Sequence, residues 1–346
     1  MNEQQWKQLL RVVAGEQVKP LPVGFIIDSP WLPGWAGHSI TDYYTSEKLW
    51  LELNLKAMRQ FPSVWFLPGF WSEFGMCTEP SAFGAKCIWH EHDLPFAEKT
   101  VETPAQMAAL KKPNVREDGL LPFMLKRLAH TRGAIEAEGH AVRFAVARGP
   151  LNIASFLMGA TEFMMALKES PQEAHAMLNT ITEFLCDWLR LQKEMFPTIE
   201  GVFMLDDLVG FLGKDDFLEF ALPYLKRSFG AVDAKVRFFH NDAHGLVSAP
   251  FLAEIGINIF NFSFNHSLAE MRQLCGESVT LLGNLPPRDV MALGTPDDVR
   301  KGVRAMLGPI ADKRGLILSV GGGVSPKTPT ANIEAFIEAA SGVPAS

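Results

Sequence analysis

The chain has 346 residues, of which 47% are hydrophobic and 21% are charged, and its formal net charge is −7. This balance is typical of a globular protein with a sizeable core, and the length suffices for one large α/β domain or two ordinary ones. The negative charge and the lack of a long Lys/Arg block in the sequence argue against nucleic acid or an anionic membrane as a partner.

The cysteines and the first residues bear on the compartment. Four cysteines are scattered at positions 77, 87, 186 and 275, and none forms a CxxC or zinc-finger spacing. The opening stretch MNEQQWKQLL is polar and amphipathic rather than a signal peptide, and no apolar run reaches the roughly 20 residues that span a bilayer. We therefore expect a cytoplasmic protein without disulfides and without a membrane partner.

In chain order, a predicted helix over 2–14 is followed by eight short apolar runs that alternate with stretches of helical spacing. The runs cover 22–30, 64–70, 142–150, 201–207, the stretch that starts at 235, 256–263, 278–287 and 315–323. Helical spacing recurs over 46–60, 103–112, 119–139, 151–168, 171–195, 214–230 and from about 329. This alternation predicts one (β/α)₈ TIM barrel over 1–346, with an N-terminal helix and insertions after the second and third strands.

The first run ends at Asp28 and is followed by the segment PWLPGWAGH. Prolines and glycines at this density predict a shaped loop that carries Trp31 and Trp35. Substrate contact and core packing explain these tryptophans equally well.

The insertion after the second run contains the triplet His90, Glu91 and His92. Strand alternation would place the two histidines on the same side of an extended segment, as a metal site requires. Because no third ligand is evident nearby, an exposed hairpin is the favoured interpretation.

Polar residues follow the predicted strands at the points where they end. They are Asp28, Arg148, Asp206, Asp207, His240, Asp242, Asn261 and Asn284. In a TIM barrel the carboxyl ends of the strands form the mouth that holds the active site. We therefore expect these side chains to gather around a single pocket.

The stretch KVRFFHNDAHGLVS, over 235–248, is the most informative of these ends. His240 and Asp242 have the i, i+2 spacing that directs two side chains to one metal when another strand supplies the third ligand. An imidazole and a carboxylate suit zinc or another divalent ion. The sequence does not identify the residue that would be the third ligand.

Asp206 and Asp207 are adjacent, so along a strand they would point to opposite faces. One or both could enter the pocket beside Arg148, or Asp206 could cap the following helix or pair structurally; both alternatives stay open. After the eighth run, glycines 321–323 would let the backbone approach a ligand, which makes Gly322 a substrate-binding candidate.

The chain resembles the uroporphyrinogen decarboxylase superfamily, which includes the decarboxylase itself and the corrinoid-dependent methyltransferases. The resemblance covers most of the chain and is strongest from about residue 200. It is carried by the pieces GN-x-x-P at 283–287, GTP-x-x-V at 294–299 and TP-x-x-N at 328–332, in this order and spacing. It implies the same barrel fold.

Departures from the superfamily patterns indicate which branch is nearer. The decarboxylase has an arginine-rich N-terminal segment and a histidine after the last strand, where this chain has DSPWLPGWAGH and VGGG. A tetra-anionic porphyrinogen needs cationic clamps, so the decarboxylase itself is disfavoured. The thiol-activating zinc methyltransferases have His-x-Cys after the fifth strand and a cysteine after the eighth, where this chain has His240, Asp242 and the glycines.

The resemblance implies transfer of a methyl group from a small donor, such as a methoxylated aromatic, to a corrinoid that is free or carried by a partner protein. The alternative is a decarboxylase acting on a tetrapyrrole or a smaller acid, and homodimerisation is expected only by analogy. The candidate catalytic residues are Asp206, Asp207, His240 and Asp242, with His240 and Asp242 as zinc ligands. The candidate substrate-binding residues are Asp28, Trp31, Arg148, Asn261, Asn284 and Gly322.

Overall fold

The computed structural model describes residues 1–27 and 30–342, so the candidate residue Asp28 lies outside the described residues. The strands, numbered in chain order, are β1 Val23–Ile26, β2 Val64–Leu67, β3 Cys87–Ile88, β4 Phe96–Ala97, β5 Phe144–Arg148, β6 Gly201–Leu205, β7 Val236–Asn241, β8 Ile259–Phe262, β9 Thr280–Leu285 and β10 Leu316–Val320. The helices are α1 Glu3–Val13, α2 Leu32–Ala36, α3 Ile40–Thr45, α4 Glu47–Gln60, α5 Thr78–Ala82, α6 Pro104–Ala108, α7 Leu121–Ala137, α8 Pro150–Met158, α9 Ala160–Glu169, α10 Pro171–Met195, α11 Lys214–Asp216, α12 Leu222–Phe229, α13 Leu252–Ile255, α14 Leu268–Cys275, α15 Pro296–Leu307 and α16 Thr330–Ser341.

Eight of the strands form one parallel sheet in the order β2-β1-β10-β9-β8-β7-β6-β5, which confirms the predicted TIM-barrel fold. Across residues 1–27 and 30–342, no backbone ladder joins the two end strands, β2 and β5. Pro68 directly follows β2 and has no N–H to donate to a neighbouring strand. Side chains link this part of the wall instead, since Trp71 packs edge-on against Phe203 of β6 with ring centroids 5.4 Å apart.

The barrel interior is filled by side chains contributed by every strand of the sheet. One such residue from each strand is buried in a common cluster: Ile26, Leu67, Val146, Phe203, Phe238, Ile259, Leu282 and Ile317. The strands are therefore buried on both faces, which explains why they read as continuous apolar runs rather than as alternating patterns.

Helix α1 closes the amino end of this barrel. Asn2 caps it, because its side chain accepts the N–H of Gln5 while the Gln5 side chain accepts the N–H of Asn2. Trp6 then packs against Phe144, the first residue of β5, at a centroid distance of 5.6 Å. With the amino end plugged, the carboxyl ends of the strands are the face at which a site can open.

The segment PWLPGWAGH after β1 differs from the sequence expectation, because its centre forms the short helix α2 rather than a loop. Pro33 lies in the first turn of α2, where a missing N–H costs nothing, and Gly37 ends that helix at φ 86°. The proline and the glycine that predicted a loop, Pro33 and Gly37, thus mark the two ends of a helix. The exposed hairpin is confirmed, since β3 and β4 pair antiparallel and residues 90–92 between them are exposed.

The predicted helix over 151–168 is divided in two. Gly159, at φ 100°, separates α8 from α9, and the two axes differ by 106°. No single helix in the described part of the chain has the length and hydropathy to cross a bilayer, although this bent pair passes on length and composition together.

Candidate functional site

The carboxyl ends of three neighbouring strands, β6, β7 and β8, bring the candidate residues together. Asp207 begins the 3₁₀ turn Asp207–Phe211 after β6, and Asp242 directly follows β7. His240 lies within β7, and the register of the sheet sets it beside Leu205 of β6 and Asn261 of β8. Asp207, His240 and Asp242 are called the His240 cluster below.

Asn261 fixes the orientation of His240. The side-chain amide N of Asn261 donates to the carbonyls of Leu282 and Val320, at 2.8 and 3.1 Å. The Asn261 Oδ1 atom therefore faces His240 and accepts from its Nδ1–H at 2.8 Å. In the neutral imidazole this leaves a lone pair on Nε2, the atom that faces the carboxylates.

The three side chains of the His240 cluster converge on one point. His240 Nε2 lies 3.6 Å from Asp207 Oδ1 and 3.9 Å from Asp242 Oδ2, and one ligand atom from each of the three residues lies within 4.8 Å of the others. The His240 side chain is 7% exposed, whereas those of Asp207 and Asp242 are 38% and 44% exposed. His240 is thus buried in the barrel, whereas the two aspartates face solvent, so an ion or substrate can reach the cluster.

The carboxylates of Asp207 and Asp242 repel each other, because an oxygen of one lies within 4.8 Å of an oxygen of the other. Burial, together with the neighbouring Asp207 carboxylate, raises the pKa of Asp242, and His240 opposes this shift. The Asp242 backbone N–H donates to Asp207 Oδ1 at 3.3 Å, which relieves part of the repulsion. A cation or a proton between the two carboxylates would therefore relieve the repulsion that remains.

Gly322, in the glycine run after β10, borders this cluster. Its φ is 126°, a conformation that disfavours other residues, and a Cβ there would lie 2.6 Å from Asp242 Oδ2. Glycine at this position therefore leaves the space that the Asp242 carboxylate occupies. Any ligand contact by Gly322 would be through its backbone.

Asp206 has a different position from its neighbour. It is fully buried, and its carboxylate accepts the N–H groups of Leu151 and Asn152 in the first turn of α8, at 2.9 and 3.0 Å. Burial raises its pKa well above the ordinary value, although these two N–H groups oppose the shift. Of the two alternatives for Asp206, the structure shows helix capping. Asp206 follows β6, but the helix that it caps is α8, which follows the neighbouring strand β5, and not the helix that follows Asp206 itself.

Asn152 completes this connection, and no motif or strand-end pattern had pointed to it. Its side chain donates to the Leu205 carbonyl at 3.3 Å and accepts from the Leu208 N–H at 3.0 Å. These bonds lie on either side of Asp206 and Asp207. They tie the turn that presents Asp207 to the start of α8.

We predict that Asp206→Ala destabilises the fold by about 1–3 kcal/mol, because two buried N–H groups at the start of α8 lose their acceptor. Urea unfolding of the variant beside Asp215→Ala, which alters an exposed aspartate, measures this effect. Loss of activity at unchanged stability would contradict a capping role and make Asp206 a reacting group.

Arg148, at the end of β5, is held by the insertion that follows β2. Its guanidinium pairs with Glu73 at 2.6 Å, and its backbone N–H donates to Glu79 at 3.0 Å. Both glutamates are buried, and burial raises the pKa of Glu79 while Arg148 opposes the shift. Neither glutamate follows a strand, so the strand-end pattern did not select them as partners of Arg148.

Two other candidates lie in structural contacts. Trp31 is completely buried, stacks on Trp35 and donates its only polar hydrogen to the Thr328 carbonyl at 3.0 Å. The Asn284 side chain donates to the carbonyls of Ser263 and His266, in the loop after β8. The structure thus places these two residues in packing and loop support.

Solved structures similar to this chain share its fold. A methyltransferase from Methanosarcina mazei superposes with a TM-score of 0.80 and 19% identity, covering 96% of this chain and 97% of that one. A B12-independent methionine synthase from Shewanella sp. W3-18-1 superposes with a TM-score of 0.56 and 11% identity, over 93% and 96% of the two chains. At these identities the likeness establishes the barrel and leaves the reaction open.

Sequence relatives include a uroporphyrinogen decarboxylase of Chloroherpeton thalassium, 27% identical over 75% of this chain and 74% of its own length. Another, from Dichelobacter nodosus, is 25% identical over 95% of both chains. The family model described as Uroporphyrinogen decarboxylase (URO-D) matches residues 4–343. This match spans nearly the whole sequence, and the chain therefore belongs to the uroporphyrinogen decarboxylase family.

Proposed function

We propose that this protein is a metal-dependent methyltransferase that removes a methyl group from a small, uncharged donor at the barrel mouth. The observation that carries the proposal is the His240 cluster, in which Asn261 directs a histidine lone pair at two carboxylates. Zinc, or another divalent ion that accepts nitrogen and oxygen ligands, is the expected metal.

The residues present fit such an ion. Ligands of a tetrahedral zinc lie about 2.0–2.1 Å from the metal and so about 3.4 Å from one another. The separations of 3.6 and 3.9 Å from His240 Nε2 to Asp207 and Asp242 need only small side-chain adjustments to meet this value. Asn261 supplies the outer hydrogen bond that metal-binding histidines require.

The protein's own residues then have separable tasks. A divalent metal bound at this position would supply a Lewis acid for the leaving oxygen of a methyl ether. Asn261 holds His240 in one orientation, and the two carboxylates would offset the charge of the ion. Phe203, 6.5 Å from His240 between ring centroids, and Trp71, which packs against Phe203, are buried apolar neighbours of the cluster.

Charge favours this function over decarboxylation of a polyanion. The mouth presents Asp207 and Asp242, and the nearby cation Arg148 is paired with Glu73. With a divalent ion on the two carboxylates the site would have little net positive charge to offer a substrate with several carboxylates. Decarboxylation remains the second candidate because the relatives that align over most of the chain bear that name.

The methyl acceptor follows from the family resemblance rather than from these contacts. We propose a corrinoid, free or carried by a partner protein, as the acceptor. The overall reaction would convert a methyl ether, cob(I)alamin and a proton into an alcohol and methylcob(III)alamin.

The test is metal analysis of the purified full chain, followed by incubation with methoxylated phenols and cob(I)alamin. The proposal expects about one divalent ion per chain and methylcob(III)alamin formation that a chelator abolishes. Carbon dioxide release from uroporphyrinogen, unaffected by the chelator, would instead establish the decarboxylase.

We predict that Asn261→Ala lowers zinc affinity by about 10–100-fold, because the His240 ring loses the partner that fixes its tautomer. Asn258→Ala is the matched control, since Asn258 also bridges backbone groups but at the amino end of β8. Competition with a chromophoric chelator measures the two affinities. Equal zinc binding in both variants would contradict the positioning role of Asn261.

A further inference from the structure

A short loop, 242–245, follows β7 and carries Asp242; it is called the Asp242 loop below. It packs backbone against backbone on the turn Asp207–Phe211, since a Cβ on Gly245 would collide with the Gly210 carbonyl oxygen. A Cβ on Gly210 would likewise lie 2.6 Å from the Ala243 Cβ. The two segments that present the aspartates of the His240 cluster are therefore in direct contact, and only glycine fits at these two positions.

His266, in the loop after β8, bonds to the backbone of the Asp242 loop. Its Nε2 atom lies 2.6 Å from the His244 carbonyl oxygen, and the two imidazole rings stack with centroids 5.3 Å apart. Because a carbonyl oxygen only accepts, Nε2 carries a hydrogen and donates it. The His266 side chain is 11% exposed, whereas His244 is exposed. This bond joins the loops after β7 and β8 at a point two residues beyond Asp242.

Asn284 of β9 supports His266 in turn. The side-chain amide of Asn284 donates to the carbonyls of Ser263 and His266, which fixes the backbone of the loop after β8. On the other edge of the His266 ring, Glu270 Oε2 lies 3.7 Å from Nδ1. A chain of contacts thus runs from β9 through His266 to the backbone beside Asp242.

The Asp242 loop is bonded in both of its halves. At its start, the N–H groups of Asp242 and Ala243 donate to Asp207 Oδ1 and Asn241 Oδ1, at 3.3 and 3.1 Å. In its second half, the bond comes from His266, which lies outside the two segments that carry the aspartates. Loss of the His266 bond would therefore free the second half of the loop and leave the first half attached.

We propose that His266 is a positioning residue for Asp242, which it holds within reach of the ion at the His240 cluster through the His244 carbonyl. The inference rests on the proposed function, since it assigns His266 to that same metal site. A loop attached at its start alone would have to be ordered when the ion binds, and the entropy lost would weaken binding. With His266 in place, the loop is ordered before the ion arrives.

The test measures the zinc affinity of the full chain by competition with a chromophoric chelator. His266→Ala is expected to lower the affinity about tenfold, the lower end of the effects of residues that support metal ligands. His266→Gln retains an N–H donor for the His244 carbonyl and should restore most of the affinity. Glu270→Gln, which leaves that bond in place, is the matched control and should bind zinc as wild type does.

Two further measurements separate positioning from a general loss of structure. In an Asp242→Asn background, His266→Ala should change zinc affinity by less than about twofold, because His266 acts through the carboxylate that is already absent. In the metal-free chain, hydrogen exchange of the Asp242 and Ala243 amides should become about tenfold faster in His266→Ala but not in His266→Gln. Circular dichroism confirms that each variant is folded before it is compared.

Equal zinc affinity in wild type and His266→Ala would overturn the inference and leave the proposed function intact. An equal loss of affinity from His266→Ala with and without the Asp242 carboxylate would also overturn it, because the effect would then not act through Asp242. Absence of zinc binding by wild type would overturn the proposed function and this inference together.

Discussion

Replacing His240 by alanine is expected to abolish methyl transfer and to lower zinc affinity on the order of 10³-fold, more than the loss of a supporting hydrogen bond causes. The imidazole supplies the only nitrogen ligand of the His240 cluster, and its Nε2 lies within 4 Å of both carboxylates. Without it, only the two carboxylates of the cluster remain as ligands, and their affinity for a divalent ion is lower. Isothermal titration with zinc and the cob(I)alamin assay measure the two effects.

The controls separate ligand loss from damage to the fold. His240→Ala leaves the buried Asn261 oxygen without its donor, which costs about 1–2 kcal/mol. His240→Gln keeps more of the side-chain volume and should lose zinc equally, while His92→Ala in the exposed hairpin should behave as wild type. Normal turnover in both His240 variants would remove this residue from the mechanism.

Replacing Asp242 by asparagine is expected to change stability in opposite directions with and without zinc. Without metal, the variant should melt about 1–3 °C above wild type, because it removes a carboxylate whose ionisation the folded site disfavours. The effect is small because the Asp242 side chain is 44% exposed. With zinc at 100 times its Kd, wild type should gain about 2.7 kcal/mol and the variant much less.

The pH dependence of this difference has a defined sign. The folded-state pKa of Asp242 lies above its unfolded value of about 4, so folding favours the protonated carboxyl. Its contribution to metal-free stability is fully present below about pH 4 and is lost as pH rises through the raised pKa. Zinc affinity changes in the opposite sense and increases over the same range, because the ligand must be deprotonated.

Thermal melts of both proteins at several pH values, with zinc and with chelator, check these expectations. Asp215→Asn, which alters an exposed aspartate, serves as the charge-matched control. If the Asp242 variant gains as much stability from zinc as wild type does, Asp242 is not a ligand.

The barrel was predictable because its strands are buried on both faces. The strands Gly201–Leu205 and Thr280–Leu285, for example, are buried along their whole length, and regular alternation with helical spacing leaves few other folds. Helix α2 was missed because Pro33 and Gly37 disrupt a helix interior but also mark helix boundaries. A local pattern cannot distinguish these cases without knowledge of where the neighbouring residues pack.

The site was predictable only in part. His240 lies near the end of β7, Asp242 directly follows β7 and Asp207 follows the adjacent β6, so the fold alone brings them near each other. Asp206 and Asp207 follow the same strand. Only the position of α8 beside that strand shows that Asp206 caps a helix, while Asp207 faces His240. Glu73 reaches Arg148 from an insertion whose path no periodicity describes.

X-ray absorption spectroscopy of the zinc-loaded full chain tests the central claim most directly, that Asp207, His240 and Asp242 hold a divalent metal. The account predicts a first shell of nitrogen and oxygen at about 2.0–2.1 Å with one imidazole. It predicts no sulfur, and loss of the imidazole signal in His240→Gln. A sulfur ligand at about 2.3 Å, or an unchanged spectrum in that variant, would contradict it.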